Sequence, residues 1–178
     1  QEMSRGLGDV YKRQAKAYKT LEVMTRVGSE ARNFGLSPEQ AAATSSSLLA
    51  LGRQPERTST ALNSLFKRLS SPESQNKRFQ IGLEKIGLDY ESLKEMTKNN
   101  AKETLDLFLN RIASFDGNDR SGLLVDLMGK DFSSIIGTLV SGLSTYNKAH
   151  DLVSNKKNYI GSMESCLLYT SPSPRDIS

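Results

Sequence analysis

The chain has 178 residues, a formal net charge of +4, 37% hydrophobic residues, no tryptophan and one cysteine. That is one domain's length, or a slice of something longer. The charge is too mild to be a nucleic-acid footprint by itself, no apolar run approaches a membrane span, and a lone cysteine offers neither a disulfide framework nor a thiolate metal site.

The two ends explain each other. Back-translated, Cys166 to Asp176 fits a DNA string whose reverse complement, shifted by one base and completed by a final G, encodes Ser4 to Gln14. One DNA element read on opposite strands accounts for both tails, and it reads as a translated transposon-type sequencing adapter. Such segments are set aside before fold reasoning. The chain therefore divides into an adapter-derived 1–14, a natural helical segment 15–165 expected to be an internal fragment, and an adapter-derived 166–178. Cys166, the basic Tyr11-Lys12-Arg13 and the Ser/Pro run from Ser171 to Pro174 all fall in the tails. The tails hold four basic and three acidic residues, which leaves +3 for the natural part. No secretory h-region is visible.

Between the tails the hydrophobic period is helical and no segment alternates like a strand. Tyr18, Leu21, Met24, Val27, Ala31 and Phe34 form one apolar stripe at three- and four-residue steps. Phe34-Gly35-Leu36 ends that helix, with glycine supplying the left-handed residue and leucine the following contact. Ser37-Pro38-Glu39-Gln40 opens the next with a capping box and a proline at the first helical position. This second helix, Ala41-Ala42-Ala43-Thr44-Ser45-Ser46-Ser47, shows small side chains all round, as a helix packed tightly in a bundle would. Leu62, Leu65, Phe66 and Leu69 mark a third. Ser71-Pro72-Glu73 reads as a start, Ile86-Gly87-Leu88 repeats the glycine ending, and Asp89 starts another helix. Asn100 with Glu103 caps the stripe of Leu105, Phe108, Leu109, Ile112 and Phe115. Asp131 precedes the longest stripe, Phe132, Ile135, Ile136, Leu139, Val140, Leu143 and Tyr146. The expected helices are 16–34, 38–51, 57–70, 75–86, 90–98, 101–115, 120–129 and 132–153. The fold class is all-α: a multi-helix bundle of short capped helices followed by a longer C-terminal helix.

No catalytic, cofactor-binding or metal-ligating residue can be assigned. Gly122 and Gly129-Lys130 are spaced wrongly for a P-loop, and Asp131 stands where Ser or Thr is needed. A calcium loop starting at Asp116 fails at Arg120, at Ser121 where the turn needs glycine, and at Leu127 where a bidentate Glu should close the site. Asp116-Gly117-Asn118-Asp119 reads instead as a turn before a helix. His150, the sole histidine, lacks the partners that acid–base work or zinc would require. It reads as a favourable charge near a helix C-terminus or a plain surface residue. As a helix-turn-helix, 38–51 and 57–70 would put Lys67 and Arg68 at the wrong end of the recognition helix. Lys85, Lys94, Lys98, Lys156 and Lys157 are scattered rather than striped.

The order of these segments resembles the core region of phage tail tape measure proteins. Residues 36–72, LSPEQAAATSSSLLALGRQPERTSTALNSLFKRLSSP, are similar to that family's signature of an Ala-rich helix ending in Leu-Gly followed by Thr-Ala-Leu. LEKIGLDYESL and LLVDLMGKDFSSIIGTLV resemble its next two elements, and the likeness spans roughly 34–145. Family members often carry glycine before Thr-Ala-Leu, at an expected turn where this chain has Ser59. The resemblance implies a non-enzymatic structural protein of the virion tail, present in the host cytoplasm during assembly, that sets tail length and nucleates the tail tube. It implies the tail tube (major tail) protein, tail assembly chaperones and tail tip proteins as partners, with self-association a further one. It implies no cofactor and no small-molecule substrate. The competing reading is a helical nucleic-acid-binding module, whose duplex binding would weaken steeply with salt. A third is an enzyme whose active site lies outside this segment.

Overall fold

Nine α-helices and one 3-10 turn account for nearly all of residues 2–155, the part that the computed structural model describes, and no strand occurs among them. In order they are α1 (Glu2–Phe34), α2 (Pro38–Ala50), α3 (Pro55–Ser70), the 3-10 turn Pro72–Ser74, α4 (Lys77–Lys85), α5 (Tyr90–Asn99), α6 (Ala101–Ala113), α7 (Gly117–Met128), α8 (Ser133–Ser141) and α9 (Leu143–Ser154).

Local chemistry sets most of these boundaries. Gly35 adopts φ 114°, and the Leu36 N–H reaches back to the Ala31 carbonyl at 3.0 Å while its side chain is buried. That six-to-one bond satisfies a carbonyl the helix end would otherwise orphan. The same bond runs from Arg53 to Leu48 across Gly52, and from Leu88 to Leu83 across Gly87. At the starts, the Ser37 hydroxyl accepts from the Gln40 N–H and the Gln40 side chain accepts from the Ser37 N–H, which completes the capping box. Asp89 and Asn100 accept from the N–H groups of Ser92 and Glu103.

The apolar stripes meet in one core. Val23, Val27, Ala31 and Phe34 of α1 are buried against α3, whose Leu62, Leu65, Phe66 and Leu69 are fully buried. Phe34 stacks on Phe66 with ring centroids 5.7 Å apart, a pairing that contributes about 1 kcal/mol beyond its buried area. Leu105, Phe108, Leu109 and Ile112 of α6 join Ile135, Ile136, Leu139 and Val140 of α8. α4 lies on α7 at close range, because Gly82 has no side chain: a Cβ there would stand 2.8 Å from Leu127 Cδ2.

Several expected boundaries move. The segment 132–153 is not one helix. It bends at Gly142, which separates α8 from α9, and the Leu51 side chain fills the space that a Cβ on Gly142 would take, 2.5 Å away at the nearest. Backbone bonds still run through the bend, from Gly142 to Thr138 and from Tyr146 to Gly142. Asp131 is not the cap: Phe132 holds that position and makes no side-chain capping bond. Expected helix 75–86 is α4, Lys77–Lys85, whose cap is Asn76, bonded to the Phe79 N–H. Ser71-Pro72-Glu73 starts the 3-10 turn and not an α-helix. α3 starts at Pro55 and α7 at Gly117, earlier than expected. α1 begins at Glu2 and not near 16, so residues 2–14 continue the helix, and residues 6–14 are all exposed. Ser59 lies within α3 and not in a turn; its hydroxyl donates to the Pro55 carbonyl at 2.8 Å.

Two helical glycines should respond oppositely to alanine. Gly122 has nothing within 4 Å of its missing Cβ, so Gly122→Ala should stabilise the chain by up to about 1 kcal/mol through helix propensity. Gly82→Ala meets the fully buried Leu127 and should destabilise it by about 1–3 kcal/mol through overpacking. Thermal unfolding of the two variants would show the midpoint rising for the first and falling for the second.

Candidate functional site

α2 is the hub of the molecule. Ala41, Ala42, Ala43, Thr44, Ser45, Ser47 and Leu48 are all buried, because α1 and α9 flank the helix and α3 and α8 also touch it. Small side chains let neighbouring backbones approach, yet hydroxyls in such a place need partners. They find them on their own helix. Thr44, Ser45 and Ser47 donate to the carbonyls of Gln40, Ala41 and Ala43, the back-bonding open to Ser and Thr within a helix. The small-residue helix is thus an interior packing element, not an open groove.

His150 is neither a charge at a helix terminus nor a surface residue, contrary to the sequence reading. It is 5% exposed and its Nε2 lies 3.0 Å from Thr44 Oγ1. The Thr44 hydroxyl also lies 3.0 Å from the Gln40 carbonyl, to which it donates, an arrangement that favours the neutral tautomer with its hydrogen on Nε2. One turn earlier, Tyr146 packs on the imidazole with centroids 4.3 Å apart, and its hydroxyl donates to Asp106 Oδ1 at 2.7 Å. Asp106 also pairs with Lys102. Burial and the bond to Asp106 push the Tyr146 hydroxyl far above its ordinary value. Burial, reinforced by Lys102, lowers His150 from its ordinary 6.5 to about 4, against smaller opposing effects of Asp106 and Asp151. A hydroxyl beside a histidine is an arrangement used in nucleophilic catalysis. Here the hydroxyl proton points at a backbone carbonyl and both groups are buried, so the pair joins α9 to α2 structurally.

The other candidate residues scatter. Asp116 precedes α7 as its N-cap, and Gly117, Asn118 and Asp119 form the first turn of that helix and not a turn before it, because the helix begins earlier than expected. α3, the would-be recognition helix, is buried along Thr58, Leu62, Leu65 and Leu69. Arg68 on that helix donates to the Leu127 carbonyl at the end of α7. Lys85 pairs with Asp126 and Lys94 with Glu73. Lys156, Lys157 and Cys166 lie outside the described residues. Among the described residues, no three His, Cys, Asp or Glu side chains gather as a metal site, and no helix is long and apolar enough to cross a membrane. A surface groove of about 720 Å³ runs between α7 and α8, with Leu51, Leu124 and Val125 facing Ser134, Gly137 and Ser141.

The burial of α2 yields a direct expectation. Ala43 is fully buried, so Ala43→Leu should force its neighbours apart and cost about 1–3 kcal/mol. Chemical denaturation would show this as a lowered midpoint, and an unchanged midpoint would mean that α2 is not close-packed.

The family model described as "Phage-related minor tail protein" matches residues 10–129, two thirds of the chain. The match begins at Val10, within α1, and ends at Gly129, before α8 and α9. A "Probable tape measure protein" of Halomonas phage phiHAP-1 is 28% identical over 142 residues, which cover 80% of this chain. The chain spans only 16% of that relative's length. No solved structure matches. The chain belongs to the phage-related minor tail proteins, structural components of the virion tail.

Proposed function

We propose that this chain is a folded assembly region of a phage tail tape measure protein and not the ruler itself. One observation carries the reading: the backbone reverses again and again. Positive-φ glycines at 35, 52, 87 and 129 end helices, and Pro38 and Pro55 begin them. A ruler made of one straight helix over residues 2–155 would measure about 230 Å at 1.5 Å per residue. Broad buried stripes and proline interruptions, each costing about 3 kcal/mol inside a helix, oppose that extended state. The partners suggested by the family are the tail tube protein, assembly chaperones and tail tip proteins, with self-association also open. The same reading makes the chain non-enzymatic and places it in the host cytoplasm before the tail is complete. Nucleic-acid binding is disfavoured, because Arg68 is spent on a backbone carbonyl and two lysines on carboxylates.

The test is deletion of residues 133–154, which comprise α8 and α9, from the parent phage. Tails should be lost or scattered in length when measured by electron microscopy. Uniform, infective tails shortened by about 33 Å, the helical rise of the deleted residues, would make this segment part of the ruler.

Residues 1–14 and 166–178 are, in this reading, adapter-coded passengers. The exposure of every residue from 6 to 14 supports it for the first tail, and the second lies outside the described residues. A chain trimmed to 15–165 should keep its body folded, with the same thermal midpoint by circular dichroism. Loss of cooperative unfolding on trimming would overturn the assignment.

A further inference from the structure

α9 buries fewer side chains than α7 or α8. Its buried residues are Tyr146 and His150, one turn apart, whereas α8 buries Ile135, Ile136, Leu139 and Val140. Both α9 anchors end in polar bonds, to Asp106 and to Thr44. Gly142 sets α9 off from α8, although backbone bonds run through that position, and α9 carries a polar attachment along its face. We propose that α9 is a proton-released latch: adding a proton to His150 lifts α9 off α2 while α1 to α8 stay packed.

The groups around the imidazole decide the direction. α2 presents the Thr44 hydroxyl, α6 presents Lys102 and Asp106, and α9 itself contributes Asp151. Nε2 already carries a hydrogen, so the incoming proton goes to Nδ1, which has no hydrogen-bond partner among the described residues. The new charge is formed in a site 5% exposed, under the repulsion of Lys102. Asp106 is already shared by Lys102 and Tyr146 and does not bond the ring. Undocking lets water solvate the imidazolium; it withdraws Tyr146 and His150 from the interior, frees the partly buried Leu143 and uncovers the side of α2 that α9 flanks. The docked form binds fewer protons than the released form. Docking is therefore strongest above the free imidazole value of 6.5 and weakens as pH falls from there towards about 4. Nothing in this device depends on the tail-assembly reading.

The chain's single histidine makes the test unambiguous by NMR. In the 178-residue chain the imidazole should titrate below pH 5. Between pH 7 and 4.5 the exchange protection factors of α9 amides should fall by up to about a hundredfold, while core amides such as Leu62 and Leu105 hold theirs. His150→Gln keeps a donor towards Thr44 without a titrating group, and α9 protection should then be flat over the same range. An imidazole titrating near 6.5 with α9 still protected would overturn the proposal. So would core and α9 amides failing together, or an equal acid loss of α9 protection in the Gln variant.

Discussion

Every α-helix leaves about four N–H and four carbonyl groups unsatisfied at its ends, and described residues divided into nine helices, all but the first short, have many ends. The structure depends on closing them. At the N-termini the closure is local: Ser37, Asn76, Asp89 and Asn100 each accept from an N–H three residues on. At the C-termini it is partly tertiary. Arg111 of α6 donates to the carbonyls of Ile86 and Gly87 beyond α4, and Arg68 of α3 donates to Leu127 near the end of α7. Arg120 of α7 reaches back to Ala113 and Phe115 at the end of α6. A planar guanidinium suits this role because it offers several fixed donors and attracts the negative end of the helix dipole. Each such arginine ties one helix end to the body of another, so capping and tertiary packing are the same interaction.

This explains what the sequence shows and what it hides. The capping box at Ser37, the glycine endings at Gly35 and Gly87 and the caps at Asp89 and Asn100 are legible because donor and acceptor lie within a few residues. The arginine closures are not, since Arg68 and Leu127 are 59 residues apart in the chain. The bend at Gly142 is hidden for a related reason. The apolar period runs through it from Phe132 to Tyr146, and only the distant Leu51, seated where a Cβ would be, separates two helices from one. His150 fails in the same way: nothing near it in sequence foretells that Thr44, 106 residues earlier, would be its partner. The all-α class and the burial of the stripes follow from local pattern, whereas the polar site depends on long-range juxtaposition.

The composition of α2 ties the interior together. A helix flanked on several sides would ordinarily carry large apolar side chains, which hold neighbours at 8–10 Å between axes. Alanines and self-bonded hydroxyls remove that bulk, so α1, α3 and α9 can crowd around one axis. The exchange lowers the apolar area each contact buries, in keeping with a chain that is 37% hydrophobic and lacks tryptophan. Larger side chains supply adhesion elsewhere, through Phe34 on Phe66 and through the leucines of α3 and α6.

Adhesion is therefore unevenly distributed, and the imbalance has a consequence for a protein that must be assembled. Helices α1, α3, α6 and α8 meet in apolar contacts that no change of pH disturbs. α9 is bonded to α2 through His150 and to α6 through Tyr146, and that hold depends on protonation state and on the Lys102–Asp106 pair. Opening free energies within one fold range from near zero to the global value, and the weakest units are those with few buried apolar contacts. A segment so attached can leave the body without unfolding it. Its departure uncovers the flank of α2 at Thr44, where close packing rather than apolar area does the holding.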